Sequence, residues 1–183
     1  VTLRRITGPG LPFTVAEAKA NGRIENDAED DVVEGCIKAA LAYAEKWTGT
    51  AFQSQVWELV LDAFPDASDE IEIPFGPVLS VTSVKYIDGD GIEQTTTDYE
   101  TDLTPGDRAW IIPIVDWLTP METVNAIVVR FVVGDTPPDD VRQAILLLTE
   151  HFYDNRAATS GEDVKAIPFG VFDLLNLHRR LFV

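Results

Sequence analysis

"VRQAILLLTEHFYDNR", residues 141 to 156, decides how this chain is read. Val141, Ala144, Ile145, Leu148 and Phe152 recur at three- and four-residue spacing, the mark of a helix with one buried stripe. Leu146, Leu147 and His151 widen that stripe beyond half the circumference. A helix lying on a single core needs only one apolar face. This one must therefore be central in its own domain or partly covered by a neighbour, and the sequence leaves both readings open. Asp139 and Asp140 supply N-cap candidates, and the helix is expected to run to about Asn155.

Beyond it, "AATSGED" (157–163) reads as a loop. "IPFGVFDLLNLHRRLFV" (167–183) is apolar and helical in pattern. Phe169, Val171, Phe172, Leu174, Leu175 and Leu177, then Leu181, Phe182 and Val183, put much apolar material near a chain end, a place where fraying is usual. That suggests a tail that docks on a partner.

Upstream, Thr14-Val15-Ala16-Glu17 has the capping-box spacing and predicts a short helix from Val15 to Asn21. A longer helix from Ala28 to Trp47 follows from Val33, Ile37, Ala40, Leu41, Ala44 and Trp47, with Gly49 as its stop. The period then changes to that of strands. "QVWELVLDAF" (55–64), "IEIPF", "VLSVTSVKYID", "IEQTTTDYE", "RAWIIP" and "NAIVVRFVVG" predict five or six of them, with "DGDG" (88–91) as a hairpin-type turn. The fold class is α+β: a helical bundle from the N- and C-terminal segments with a β-rich insertion between them. One domain spans 1–183, divided into a helical part (14–50), the insertion (52–134), the long helix (139–156) and a C-terminal docking arm (164–183).

Composition is ordinary at 45% apolar and 25% charged, but 31 acidic residues against 14 basic give a formal charge of −17. Binding to the outside of nucleic acid needs a basic stripe, and none is present. The acidity either keeps the protein soluble or prevents adhesion to a polyanion passing nearby. The apolar runs are too short for a transmembrane span, so no membrane partner is expected. "VTLRRITGPG" has no apolar stretch after its arginines and does not read as a secretory signal. The single cysteine, Cys36, excludes an internal disulfide and points to synthesis in a reducing cytoplasm; beside Ile37, it is expected to be a small buried hydrophobe.

Catalytic patterns are missing. "DGDG" aligned to a calcium loop puts Tyr86 and Thr97 where acidic ligands belong. His151 and His178 form no HExxH pair. There is no GxSxG elbow, P-loop or GxGxxG, and "GPG" (8–10) is too short to cradle a phosphate. The pairs Asp30-Asp31 and Asp139-Asp140 stand where helices begin and carboxylates are favoured. No cofactor, metal or catalytic residue is expected.

The order of these pieces is similar to that of the head–tail connector (adaptor) proteins of long-tailed bacteriophages and gene transfer agents. "VRQAILLLTEHFYDNR", a variable loop and "IPFGVFDLL" resemble that family's C-terminal signature. "LPFTVAEAKANGRIENDAEDDVVEGCIKAALAYAEKWTGTAF" resembles its N-terminal helical portion. "QVWELVLDAFP", "IEIPFGPVLSVTSVKYIDGDG" and "VVRFVVGDTPPDDVRQAI" resemble its middle. Residues 100–125 and the closing "NLHRRLFV" depart from the pattern.

The resemblance implies a non-enzymatic structural protein of the virion, made in the host cytoplasm and placed at the head–tail junction. It would form a homo-oligomeric ring, usually of twelve copies, between the portal protein and a tail-side joining or tail terminator protein. DNA would pass through without sequence-specific binding. At −17 each, twelve copies carry roughly −200, a charge that would let DNA slide where it lines a channel. Phe169, Val171, Leu174 and Leu175 are then docking or packing residues of the arm, and Phe152 and Tyr153 anchor the bundle against it. Arg179 and Arg180 would pair with acidic residues of a portal. The rival readings are a tail-side joining protein, a soluble acidic enzyme and a monomeric binding module.

Overall fold

In the computed structural model, residues 1–66, 68–104, 108–155 and 166–179 are described. They fall into two compact units, one of residues 1–10 and 53–135 and the other of 11–52 and 136 onward. The helical unit holds α1 (Val15–Gly22), a 3-10 turn (Asp27–Glu29), α2 (Asp30–Thr48), α3 (Asp139–Asp154) and α4 (Phe169–Asn176). The β unit holds β1 (Thr2–Thr7), β2 (Gln55–Leu61), β3 (Ile71–Ile73), β4 (Val78–Ile87), β5 (Glu93–Thr96), β6 (Tyr99–Asp102), β7 (Ala109–Pro113) and β8 (Ile127–Val133). The chain is α+β, as its periodicities predict.

The helical unit answers the question posed by its widest helix. Val141, Ala144, Ile145 and Leu148 are fully buried, Leu146 nearly so, and Leu147 packs at the margin of the same core. α3 lies against α1, α2 and α4. Its extra apolar width is thus largely used inside its own unit. Two hydroxyls turn inward without penalty: Thr149 Oγ1 donates to the Ile145 carbonyl at 2.8 Å, and Thr48 Oγ1 to that of Ala44 at 2.8 Å.

Local chemistry sets the helix ends. The capping box forms: Glu17 N–H donates to Thr14 Oγ1 at 3.2 Å, and Thr14 N–H to Glu17 Oε2 at 2.8 Å. α2 stops at Gly49, whose φ of 70° is left-handed and whose N–H reaches the Glu45 carbonyl at 2.9 Å. The buried Glu45 carboxylate accepts the N–H of Phe52 at 2.9 Å, so the chain leaving α2 is fastened back to it. At the start of α3 the cap is Pro138, and the expected caps, Asp139 and Asp140, form the first helical turn instead. There their charge faces the free N–H groups, which suits carboxylates equally well. Cys36 also differs from expectation. It is half-buried, because one residue before Ile37 lies about 100° away from the buried stripe.

In the β unit a five-stranded antiparallel sheet has the order β1-β2-β8-β4-β5, and a three-stranded sheet the order β3-β7-β6. Ile127, Val129, Phe131 and Val133 alternate along β8 and are all fully buried. Leu59 and Val84, facing from β2 and β4 as register partners of Val129, extend that layer. Ile71, Ile73, Ala109 and Ile111 form the buried face of the smaller sheet. Among the described residues there are eight strands rather than the expected five or six. β1 is additional, and "IEQTTTDYE" divides into β5 and β6, where Thr96 Oγ1 accepts the N–H of Asp98 at 3.2 Å and turns the chain.

Candidate assembly interface

In the helical unit, the C-terminal arm is positioned by one aromatic residue of α2. Trp47 stacks on Tyr43 with centroids 6.2 Å apart and meets Phe172 at 4.8 Å. Its indole N–H donates to Asn176 Oδ1 at 3.1 Å, and the Arg179 guanidinium lies 5.7 Å above its ring. A second tie follows α4, where His178 Nε2 stands 2.7 Å from Asp140 Oδ2. The hydrogen bond from His178 holds the Asp140 carboxyl below its ordinary range, although partial burial opposes it.

These ties sort the residues nominated from sequence. Val171 and Leu175 are fully buried in the core of their own unit. Leu174, Phe152 and Tyr153 are half-buried at its margin. Phe152 meets Tyr43 edge-on at 6.4 Å, and the Tyr153 hydroxyl donates to Glu29. Phe169 stands apart at 86% exposed, and Leu177, not nominated individually, is 76% exposed. Arg179 is exposed over Trp47, while Arg180 lies outside the described residues, as do 181–183.

The β unit presents surface of another kind. The segment between β7 and β8 exposes Ile114, Val115, Leu118, Met121 and Val124. It is pinned by Trp117, which stacks on Phe64 at 4.6 Å and donates its indole N–H to the Asp69 carbonyl at 2.7 Å. Met121 N–H bonds the Ile87 carbonyl at 2.8 Å. Five exposed large apolar residues in eleven positions were not singled out from sequence, because loop and strand share the same composition there.

Electrostatics is dominated by carboxylates. Arg4 and Arg130 both pair with Glu58, Lys19 with Asp27 and Asp30, Lys38 with Glu34, Lys85 with Glu93, Arg108 with Glu72 and Arg142 with Glu17. Among the described residues seven basic side chains are thus paired with carboxylates of the same chain, and the acidic surplus remains. "DGDG" is a turn: Asp88 Oδ1 accepts the N–H groups of Asp90 and Ile92 at 3.0 and 2.9 Å, and Gly91 takes φ 78°. Among the described residues no group of acidic, histidine or cysteine side chains could hold a metal ion, and no helix is long and apolar enough to cross a membrane.

Exposed apolar side chains on pinned elements, at the arm and between β7 and β8, are surface of the kind that packs against other proteins. The chain belongs to the head completion protein family, which matches it over residues 13–181, and is a structural protein of the virion's head–tail junction. Two solved structures share the fold end to end. One is from the neck of an empty gene transfer agent particle computed with C6 symmetry, at 27% identity and a TM-score of 0.79, covering 100% of this chain and 97% of that one. Another is from the virion of a native gene transfer agent particle, at 26% identity and 0.80 with the same coverage. A chain from the neck of a native particle computed with C12 symmetry, at 24% and 0.71, again covering 100% and 97%, shares the fold. No curated protein matches the chain.

Proposed function

We propose that copies of this chain close into a ring that joins the capsid portal to the tail and continues the DNA channel. The observation that carries this is the end-to-end likeness, at 27% identity, to a chain of a symmetric particle neck. Twelve copies are expected, with a portal protein on one side and a tail-side joining or tail terminator protein on the other. Charge supports the channel. With seven basic side chains among the described residues already paired within the chain, the ring would present carboxylates to DNA, and phosphates would slide past them rather than bind. The two units would serve as one adaptor. The exposed Phe169 and Leu177 give the C-terminal arm apolar contact points, and Arg179 a positive one.

The test is the native mass of the purified protein at low and high concentration, together with the composition of the neck in purified particles. A closed oligomer near twelve subunits, or a ring of this chain at the neck, is the expected result. A monomer at every concentration, with no copies at the neck, would overturn the reading.

A further inference from the structure

β1 and β5 are the two outer strands of the five-stranded sheet, each paired on one side only. Five strands at ordinary spacing place these edges about 19 Å apart, at opposite edges of that sheet. Their chemistry is opposite as well. β1 carries Arg4 and Arg5, both exposed, with Ile6 45% exposed beside them. Arg4 also holds Glu58, and Arg5 lies 5.9 Å from the Trp57 ring centroid, so both side chains are supported from within the sheet. On the other side, β5 and the turn before it expose Asp90 and Glu93, with Ile92 58% exposed between them. Glu93 takes the Lys85 ammonium at 2.6 Å, while the charge of Asp90 stands beyond that pair.

An open edge is a template for pairing, and what a strand carries decides with whom it pairs. Two β1 edges would bring arginines together, and two β5 edges would bring carboxylates together. Like charges placed opposite one another destabilise a strand pair, whereas opposite charges stabilise it. A contact joining two different faces of identical subunits is head-to-tail, and it closes into a ring when the rotation allows.

The geometry points to the β1 edge of one copy seating against the β5 edge of the next, so that the β unit carries both halves of the contact that closes the ring. This rests on the ring reading above and adds the surface that forms it.

Cross-linking in assembled particles tests it, since the copies are in place there whatever their state in solution. In a Cys36→Ala background, Thr7→Cys with Thr95→Cys puts one thiol on each edge and leaves every charge intact. Thr2→Cys with Gln94→Cys is a second pair, should the first disturb folding. A short bismaleimide should give a ladder of covalent dimers, trimers and larger multimers from the double variants and none from the single ones. Dimers from Thr7→Cys alone would mean that like edges meet, and would overturn the proposal. So would the absence of cross-links from both pairs in particles with a normal complement of the chain at the neck, a result that leaves the ring itself standing. Particles lacking the chain at the neck would instead remove the ring reading.

Discussion

His178 Nε2 lies 2.7 Å from Asp140 Oδ2, which ties the turn after α4 to the first turn of α3 across 38 residues of sequence. Asp140 Oδ1 also accepts the N–H of Val141 at 2.9 Å, so one carboxylate meets a first-turn N–H of α3 and holds the C-terminal arm. The arm is a helix of eight residues, too short to persist by propensity alone. Its order depends on ties of this kind.

Asp140→Ala is therefore expected to loosen α4 with little effect elsewhere. The loss of one charge-assisted bond at a partly exposed site is worth about 1 kcal/mol, near fivefold in local opening. Hydrogen exchange should show faster α4 amides and unchanged strands in the β unit. The pH dependence has a definite sign. Because the folded-state value of Asp140 is lowered, its contribution is complete above the ordinary carboxylate range and is lost as pH falls through the lowered value. Acid-induced loosening of α4 should be present in the natural chain and weaker in the variant.

Glu58 gives a second prediction. Its side chain is almost wholly buried on β2, between register partners Arg4 on β1 and Arg130 on β8. Burial pushes its carboxyl up, but hydrogen bonds from both guanidiniums outweigh that and hold it below the usual range. Either arginine alone still partners the carboxylate, so Arg4→Ala or Arg130→Ala should each cost about 1 kcal/mol. The double variant leaves a buried charge unpaired and should cost about 3–5 kcal/mol, more than the sum. Urea denaturation of the four proteins measures this, and simple additivity would show that neither arginine substitutes for the other at Glu58. In the natural chain the contribution is present above the ordinary carboxylate range and lost on acidification through the lowered folded-state value.

Trp47 should matter more than its half-buried position suggests. It contacts Tyr43, Phe172, Asn176 and Arg179 at once, three of them at or beyond α4. Trp47→Ala should destabilise the helical unit by about 2–4 kcal/mol. Trp47→Phe keeps a ring but loses the N–H to Asn176, and should cost about 1 kcal/mol. Thermal unfolding followed by circular dichroism distinguishes them, and equal costs would mean that the hydrogen bond carries the contact.

The elements that obey one period were legible in sequence. α2 shows its buried stripe at three- and four-residue spacing, β8 alternates buried and partly exposed positions, and the capping box at Thr14 forms as its spacing predicts. β1 was not legible because its bulge inserts a residue and breaks the alternation, so Leu3 and Ile6 fall three apart. The arm was legible as apolar, but not in its division of labour. Val171 and Leu175 are four apart and share the buried face, whereas Phe169 stands at the helix start and points to solvent. The tie from His178 to Asp140 joins segments far apart in sequence, and no local pattern announces it.

That division of labour yields the last prediction. Phe169→Asp alters a side chain that is 86% exposed, so folding stability should change by no more than about 0.5 kcal/mol. Leu175→Asp instead places a charge in a sealed core, and should unfold the helical unit or cost more than about 4 kcal/mol. Both variants should fail to yield complete particles, for different reasons. Leu175→Asp would lack a folded arm, while Phe169→Asp would fold normally and fail at docking. The informative comparison is melting temperature against particle yield for each variant. If Phe169→Asp melted like the natural chain and also gave a normal yield of particles, the exposed end of α4 would have no place in the interface. The exposed apolar residues between β7 and β8 would then be the next surface to alter.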